Sequence, residues 1–521
     1  MLGYKDDRHH FMATIVCLNT HKIQRLGPDR YETFDIVDGQ QRLTTLVILL
    51  KALSKAFREK GKSCYKTADK LDELLVKDDK RLILLKTNHD DAAIFRSYLE
   101  MGQVPKEKEL DTLAKRNIYH ALIECERFVK EWNQELDSVL DAALNRLGFI
   151  FYEIEEEGSV YTIFEVLNSR GLEVDALDKC KSMLMGIAFE KWPSSASEPL
   201  IGELHQVWAQ IYKTIGLKRV PGHEILRFGA TFRHHDIQSR ILGSSDSIEY
   251  FRHLCRKTPK SVLDVSQEFL NVAKVLKDLY SDERRQAVTH IAQARLLAVS
   301  IMLNESYSNE ERQDILDVWE KVTFRIFGLF SKDARTKVGE YTRLACRVAS
   351  KSIACKRLLQ EIEDIGAEYP IDEAVDEVRN SDCYTGWGES LIYFLYRYEE
   401  FLAAQDGATI SNEMWERIWS SSTSDTIEHI HPQTPTDSWR GKLGRGRKQL
   451  EKNVHRLGNL MILPPGINSK AGAKSFKEKK EIYRKNRLRL MDEILRKRDW
   501  DKRAIEEREQ NLLDWAKNEW N

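Results

Sequence analysis

Several features that would place a chain in a specialised class are absent from this sequence. Its 521 residues include only 11 Pro and 26 Gly, too few for a fibrous or a disordered protein. No apolar run reaches the roughly 20 residues that a membrane-spanning helix needs. Met1–Lys22 contains charges and a His pair where a signal peptide would have its apolar stretch. We therefore expect a cytoplasmic protein with no membrane partner.

Three kinds of site are disfavoured by missing patterns. The eight cysteines include no C-x-x-C pair and no short-range cluster, so neither a zinc ribbon nor a disulfide framework is predicted. We interpret them as buried or incidental thiols in a reducing compartment. No G-x-x-x-x-G-K-[ST] loop occurs, which argues against a P-loop NTPase.

What the sequence does contain is an uneven distribution of charge. The formal net charge is -1, from 81 Lys and Arg against 82 Asp and Glu. Residues 440–521 hold 23 basic and 12 acidic side chains, whereas residues 1–439 hold 58 basic and 70 acidic ones. A basic C-terminal module on an acidic body suggests a polyanionic partner, although a solvated helical surface explains the charge equally well.

The hydrophobic pattern predicts a helix-dominant α+β protein. Runs rich in β-branched residues at Met12–Cys17 and Thr33–Val37 predict strands, and Gly148–Ile154 predicts a third. The i, i+3, i+4 spacing of apolar residues from Leu43 to Leu53 predicts a helix. From Tyr161 to Glu400 the pattern is almost entirely helical.

The C-terminal part reads as a compact module of its own. Thr426–Ile430 and Leu457–Leu463 predict strands, Ser475–Leu490 predicts a basic helix, and Asp501–Trp520 predicts a final amphipathic helix. At roughly 150 residues per domain, the length predicts about three domains, or two with a long helical connector. We place them at 1–190, at 191–410 as a helical scaffold, and at 411–521.

A short polar motif, Asp38-Gly39-Gln40-Gln41-Arg42, lies at a predicted strand-to-helix junction. Asp38 can cap the helix, and Gly39 permits a tight turn. The exposed first-turn amides and Arg42 would form an anion site, where Gln40 and Gln41 could bind a base, a sugar or a water. On spacing alone, a plain capped helix explains the motif equally well.

Three polar segments follow one another near the C-terminus: 427–433 (Ile-Glu-His-Ile-His-Pro-Gln), 455–460 (His-Arg-Leu-Gly-Asn-Leu) and 468–470 (Asn-Ser-Lys). Hydrolysis of a phosphodiester needs a divalent metal ion at the leaving oxygen, and a hard cation such as Mg²⁺ prefers oxygen ligands. It also needs a general base, which a neutral His provides near pH 7. The ordered set predicts a nuclease-type site, with a decayed or structural relic as the alternative.

Basic side chains follow this set, on the predicted helix or just before it. They are Lys470, Lys474, Lys477, Lys479, Lys480, Arg484, Lys485, Arg487 and Arg489. As DNA-binding residues we select Lys470, Lys474, Lys477 and Lys480. If about five of the basic groups meet phosphates, the logarithm of the binding constant falls with log salt at a slope of about -4.5.

The C-terminal set resembles the HNH (His-Me finger, ββα-metal) nucleases, and specifically the HNH domain of GmrSD-type Type IV restriction endonucleases. The resemblance rests on Glu-His-Ile-x-Pro-Gln, then Gly-Asn-Leu, then Asn before a Lys-rich helix with Phe476 and Tyr483. His455, just before Gly-Asn-Leu, is interpreted as structural or phosphate-facing.

This resemblance implies roles for individual residues. His429 would be the general base, and Glu428 and Asn468 would be ligands of Mg²⁺ or Mn²⁺. Asn459 would hold the His-bearing loop in place as the second member of the catalytic pair. His431 stands where the family usually has an aliphatic residue and receives no catalytic role.

The N-terminal motif is similar to the Asp-Gly-Gln-Gln-Arg signature of the ParB/sulfiredoxin-like N-terminal domain of the same family, and Ile163–Gly171 resembles a second family segment. The resemblance implies that the motif residues bind and hydrolyse GTP or another NTP, with Asn168 and Arg170 approaching the same phosphates. The family also has an aromatic segment before the first strand that Met1–Tyr4 does not provide. We therefore expect either a truncated or misassigned start or an incomplete nucleotide site.

Together these features predict a metal-dependent DNA endonuclease whose N-terminal domain binds a nucleotide and gates cutting. The family implies defence against phage, on modified or foreign DNA. A nucleotide-responsive DNA-binding regulator with an inactive nuclease centre is the alternative, and a nuclease without a working NTPase is a third. The sequence specifies neither the nucleotide, the DNA modification, nicking against double-strand cleavage, nor the oligomeric state.

Overall fold

The computed structural model describes residues 10–26, 28–77, 82–83, 85–87, 92–110, 112–132, 135–155, 175–192, 194–216, 220–234, 239–286, 288, 290–379, 381–408, 412–444, 446–485 and 488–521. They cluster into two compact units. Unit 1 combines the chain up to residue 227 with 243–274, and unit 2 combines 228–242 with 275–521. The predicted division at residues 190 and 410 stays a prediction.

Unit 1 contains a three-stranded sheet in the order β2-β1-β5. Strand β1 (His10–Leu26) pairs antiparallel with β2 (Asp29–Asp38) and parallel with β5 (Leu147–Ile154). All three predicted strands are present. The first two are longer than predicted, since the polar stretch between them continues the pairing to Leu26 and Asp29. A second, two-stranded sheet joins β3 (Val76–Lys77) to β4 (Leu82–Ile83).

The helices give the protein its helix-dominant α+β class, as predicted. In chain order the α-helices are α1 (Gln40–Glu59), α2 (Tyr65–Leu75), α3 (Ala92–Met101), α4 (Leu113–Glu131), α5 (Leu136–Asp141), α6 (Ala176–Lys191), α7 (Ser194–Ile215), α8 (Gly222–Arg233), α9 (Ser244–Cys255), α10 (Pro259–Ser281), α11 (Glu283–Gln286), α12 (Ala292–Leu303), α13 (Asn309–Phe324), α14 (Val338–Ala349), α15 (Cys355–Gly366), α16 (Ile371–Val378), α17 (Cys383–Trp387), α18 (Glu389–Gln405), α19 (Asn412–Trp419), α20 (Thr423–Thr426), α21 (Arg447–Val454), α22 (Ile467–Ala471), α23 (Phe476–Arg484), α24 (Asp492–Arg496) and α25 (Lys502–Glu519). No described helix has both the length and the apolar composition that crossing a membrane requires.

The core of unit 1 forms around α1, whose apolar stripe the spacing predicted. Leu50, Leu53 and Phe57 are buried in one cluster with residues of α2 and α4. The stripe therefore marks the buried face of the helix, as the i, i+3, i+4 rule requires.

In unit 2, a two-stranded antiparallel sheet carries the C-terminal motif. Strand β6 (Ile427–His429) pairs with β7 (Leu460–Ile462), and His429 lies opposite Leu460. Both strands are shorter than predicted, because Leu457–Asn459 forms a 3-10 turn before β7.

The basic helix α23 also ends earlier than predicted. Ser475 and Glu478 form a reciprocal capping box at its start, which fixes the first turn. The helix ends at Arg484, and the predicted continuation to Leu490 is wrong, since Arg489–Met491 is a separate 3-10 turn. The final helix α25 agrees with the prediction, with Asp501 as its N-cap.

Candidate active site

The strand pair β6–β7 lies beside a cavity of about 250 Å³. Glu428, His429 and Asn468 line it, together with Tyr384 and Gln433 among others. Successive residues of a strand point to opposite faces, yet Glu428 and His429 both reach this cavity because β6 ends at His429. The structure thus brings three of the four predicted catalytic and metal-binding residues to one cavity.

The fourth predicted residue, Asn459, is fully buried and is not among the lining residues. Its Nδ2 donates to the carbonyl oxygens of His431 (3.0 Å) and Val454 (2.7 Å). Its Oδ1 accepts from the backbone N–H of His431 (2.8 Å) and from Trp500 Nε1 (3.0 Å). The whole hydrogen-bonding capacity of the amide is used. Asn459 therefore fixes the segment that follows His429.

Helix α25 supports the turn that carries Asn459. A β-carbon at Gly458 would lie 2.1 Å from the carbonyl oxygen of Ile505, so the turn can approach the helix this closely only with glycine. Arg508 Nη1 donates to the carbonyl oxygens of Gly458 (3.0 Å) and Leu460 (2.7 Å), and Arg456 forms a buried ion pair with Glu509. The Gly-Asn-Leu segment thus serves to pack this turn against helix α25.

His429 is held at both ring nitrogens. Its Nε2 lies 3.0 Å from His455 Nδ1, and its Nδ1 lies 3.1 Å from Gln433 Nε2. Since an amide NH₂ is a donor, Nδ1 is the acceptor and the ring proton lies on Nε2. The Tyr384 ring contacts the His429 ring edge-on at 4.4 Å and stacks on His455.

Burial sets the charge state of this imidazole. His429 is 6% exposed, and burial, together with His455 and Lys479, lowers its pKa to about 3. The imidazole is therefore neutral at pH 7, the form that accepts a proton.

Glu428 is buried in an ion pair that the sequence did not predict. Its Oε1 accepts from Lys479 Nζ at 2.6 Å and from the Tyr483 hydroxyl at 2.8 Å. Burial raises the pKa of the Glu428 carboxyl, and Lys479 and Tyr483 oppose that rise. One carboxylate oxygen is thus committed to the protein.

Asn468 is anchored through its nitrogen. Its Nδ2 donates to the carbonyl oxygens of Ser424 (3.2 Å) and Ile427 (3.0 Å). This arrangement leaves Oδ1, the amide atom that hard cations bind, without a hydrogen bond from any described residue.

The cavity offers the kind of ligand atoms that a hard divalent cation prefers, but only a few of them. Glu428 and Asn468 offer carboxylate and amide oxygens at one cavity, the ligand class that Mg²⁺ and Mn²⁺ prefer. Within the described ranges, however, no group of three or more His, Cys, Asp or Glu side chains could hold a metal. A cation here would take most of its ligands from water or substrate.

The predicted DNA-binding lysines differ in exposure. Lys470, Lys474 and Lys477 are exposed. Lys480 is half-buried, and its Nζ donates to the carbonyl oxygen of Lys497 at 2.8 Å. Three of the four are therefore open to a phosphate, and the fourth is partly engaged. Of the wider basic run, Arg487 lies outside the described residues.

In unit 1, the predicted cap of α1 is wrong. Gly39 is the N-cap, with φ 93°, and no side chain caps the helix. Asp38 instead ends β2, with its carboxylate 4.0 Å from Arg42 Nη1. Any other residue at position 39 would adopt the left-handed region and would also meet Ile15 Cδ1 at 2.4 Å.

The remaining motif residues are exposed at the start of α1. Gln40 Nε2 donates to the carbonyl oxygen of Ile36 at 2.5 Å, whereas the contacts of Gln41 and Arg42 with a ligand stay a prediction. Asn168 and Arg170, with the rest of Ile163–Gly171, lie outside the described residues. The approach of these two residues to the motif therefore stays a prediction.

Sequence reasoning missed several residues of the C-terminal site. Lys479 was grouped with the surface lysines, although it shares one face of α23 with Phe476 and Tyr483 at i, i+3, i+7 spacing, a signal of burial. Gln433 lies inside a quoted motif but received no role. Tyr384 precedes the motif by more than forty residues, and no pattern in the sequence marks it.

Comparison with known families adds two matches. A model described as "GmrSD restriction endonuclease, N-terminal domain" matches residues 4–185, and one described as "GmrSD restriction endonucleases, C-terminal domain" matches residues 370–515. Together they cover more than half of the chain, and the second contains every residue that lines the cavity. No curated protein matches the chain.

Proposed function

The chain belongs to the GmrSD family and is a DNA restriction endonuclease, and we propose that its catalytic centre is an HNH-type, metal-dependent site at His429. The observation that carries this proposal is that His429, Glu428 and Asn468 line one cavity inside the C-terminal family match. We further propose that the enzyme acts in the cytoplasm, on modified or foreign phage DNA.

The general base in this proposal is His429. Its neutral ring has a lone pair at Nδ1, and a water that replaces Gln433 Nε2 there would give up its proton to that nitrogen as it attacks phosphorus. His455 would accept the hydrogen bond from Nε2–H throughout and so keep the ring in one tautomer. A positioned base of this kind contributes about 10²- to 10⁴-fold to the rate.

The proposed metal ligands are Glu428 and Asn468. When bound, Mg²⁺ or Mn²⁺ would stabilise the charge that develops on the phosphoryl group and the leaving oxygen. Asn459 would position the His-bearing segment from outside the cavity, which it does not line. The exposed Lys470, Lys474 and Lys477 would contact the DNA backbone.

For the N-terminal domain we propose nucleotide binding at Asp38–Arg42. The exposed first turn of α1 and Arg42 support it, because unpaired amides at a helix start favour an anion. GTP and ATP hydrolysis should be measured with Arg42→Ala as the comparison. Hydrolysis that Arg42→Ala leaves unchanged would remove this site from the proposal.

The experiment that tests the whole proposal is cleavage of phage DNA with and without base modification, in Mg²⁺ or Mn²⁺, with and without nucleotide. We expect cleavage that a chelator stops. DNA binding without metal-dependent cleavage on every DNA would instead favour a regulator with an inactive nuclease centre.

A further inference from the structure

Lys479 differs from the exposed Lys470, Lys474 and Lys477 of the same basic run because it is fully buried. Its Nζ donates to Glu428 Oε1 at 2.6 Å and to the carbonyl oxygen of His429 at 2.7 Å. Tyr483 donates to the same carboxylate oxygen at 2.8 Å. Glu428 lines the cavity, whereas neither Lys479 nor Tyr483 does. The lysine thus holds the carboxylate from behind, with the cavity in front.

This placement determines the charge that the cavity offers to a cation. The Glu428–Lys479 pair has no net charge, whichever partner holds the shared proton. Asn468 is an uncharged amide, and the described part of the chain holds no cluster of three His, Cys, Asp or Glu ligands. From the two proposed ligands a divalent cation would therefore receive two oxygens and no uncompensated negative charge, far short of the six oxygens that Mg²⁺ prefers.

We propose that Lys479 prevents the site from retaining a divalent cation in the absence of DNA, so that the cation and a phosphodiester bind as coupled ligands. This inference rests on the proposed function, since it takes Glu428 and Asn468 as ligands. The phosphodiester supplies the missing negative charge and further oxygens. Because coupling between two ligands is reciprocal, the cation strengthens DNA binding by the factor by which DNA strengthens cation binding.

The test uses the full chain, Mn²⁺ and no DNA. Electron paramagnetic resonance measures free Mn²⁺, and thermal unfolding is followed with and without millimolar Mn²⁺. We expect no saturable binding by the natural protein and at least about tenfold tighter binding by Lys479→Met, because the Glu428 charge is then uncompensated. Lys479→Arg keeps the charge and Tyr483→Phe removes only a hydrogen bond, so both should bind as weakly as the natural protein.

Two results would overturn the inference. One is tight binding of a single Mn²⁺ by the natural protein, equal to that of Lys479→Met. The other is that the Lys479→Met/Glu428→Gln double variant binds Mn²⁺ as tightly as Lys479→Met does, since the Mn²⁺ would then bind elsewhere.

If Lys479→Met is too unstable to titrate, thermal unfolding decides. Millimolar Mn²⁺ should raise its Tm but not that of the Lys479→Met/Glu428→Gln double variant, and equal shifts in both would contradict the inference. The assay contains neither DNA nor a cleavage step, so it can be read even if the protein proves unable to cut.

Discussion

The two polar motifs of this chain are built in different ways. At the C-terminal motif, Glu428 and His429 are 3% and 6% exposed, and each polar side chain is held by others. At the N-terminal motif, Gln41 and Arg42 are exposed, and the helix start has no side-chain cap. Buried polar groups are costly unless they are paired, so the C-terminal site is preorganised in the free chain. The N-terminal motif instead leaves its polar side chains open to solvent.

The largest expected difference between the motifs is in stability. Asn459→Ala removes four hydrogen bonds in a buried position and leaves their partners unsatisfied, so we expect a loss of roughly 3 kcal/mol in the free energy of unfolding. DNA cleavage should fall with it. Chemical denaturation measures the change.

The matched control is Asn518→Ala, an exposed asparagine of α25. Its change should stay within about 0.5 kcal/mol, as for surface substitutions in general. Equal effects of the two would mean that Asn459 does not brace the site.

The second prediction concerns His455, whose imidazole ring lies within hydrogen-bond distance of His429. His455→Ala should lower the cleavage rate by about 10- to 100-fold, the range typical of lost outer-shell partners. His455→Asn, which can still accept a hydrogen bond, should recover part of the rate. Tyr384→Phe keeps the stacked ring and should cut at nearly the natural rate. A rate unaffected by His455→Ala would show that His429 is oriented without this partner.

The third prediction turns to the N-terminal motif. Gly39→Ala places a β-carbon in the left-handed region and 2.4 Å from Ile15 Cδ1, so thermal stability should fall by about 1–2 kcal/mol. The same change at Gly202, where helix α7 leaves open space, should stabilise the protein by about 0.5–1 kcal/mol. A neutral Gly39→Ala would mean that this turn is not constrained.

The smallest expected effect is on DNA affinity at low salt. Replacing Lys470, Lys474 and Lys477 by Gln should make the slope of log K for DNA against log salt less steep by about 2.7, if each lysine meets one phosphate. Replacing the exposed Lys66, Lys70 and Lys108 of unit 1 gives the same change in net charge and serves as the control. Identical slopes in the two triple variants would show that the effect is one of overall charge.

Most helices and strands, and the succession of the three polar segments near the C-terminus, were predicted well from the sequence. Apolar periodicity and local turn residues determine them. It did not predict the pairing of Lys479 with Glu428, since a lysine in a basic run looks exposed until the helix is packed. Tyr384 could not be found either, because it reaches His429 only through tertiary packing. The cap assigned to Asp38 failed because β2 extends through that residue and moves the helix start to Gly39.

The most direct measurement is DNA cleavage by His429→Ala beside His253→Ala, in Mg²⁺ or Mn²⁺. His253 is an exposed histidine paired with Glu249, and its replacement should leave the rate unchanged. We predict that His429→Ala folds normally and cuts about 10²- to 10⁴-fold more slowly or not at all. Undiminished cutting by His429→Ala would contradict the assignment of the catalytic centre.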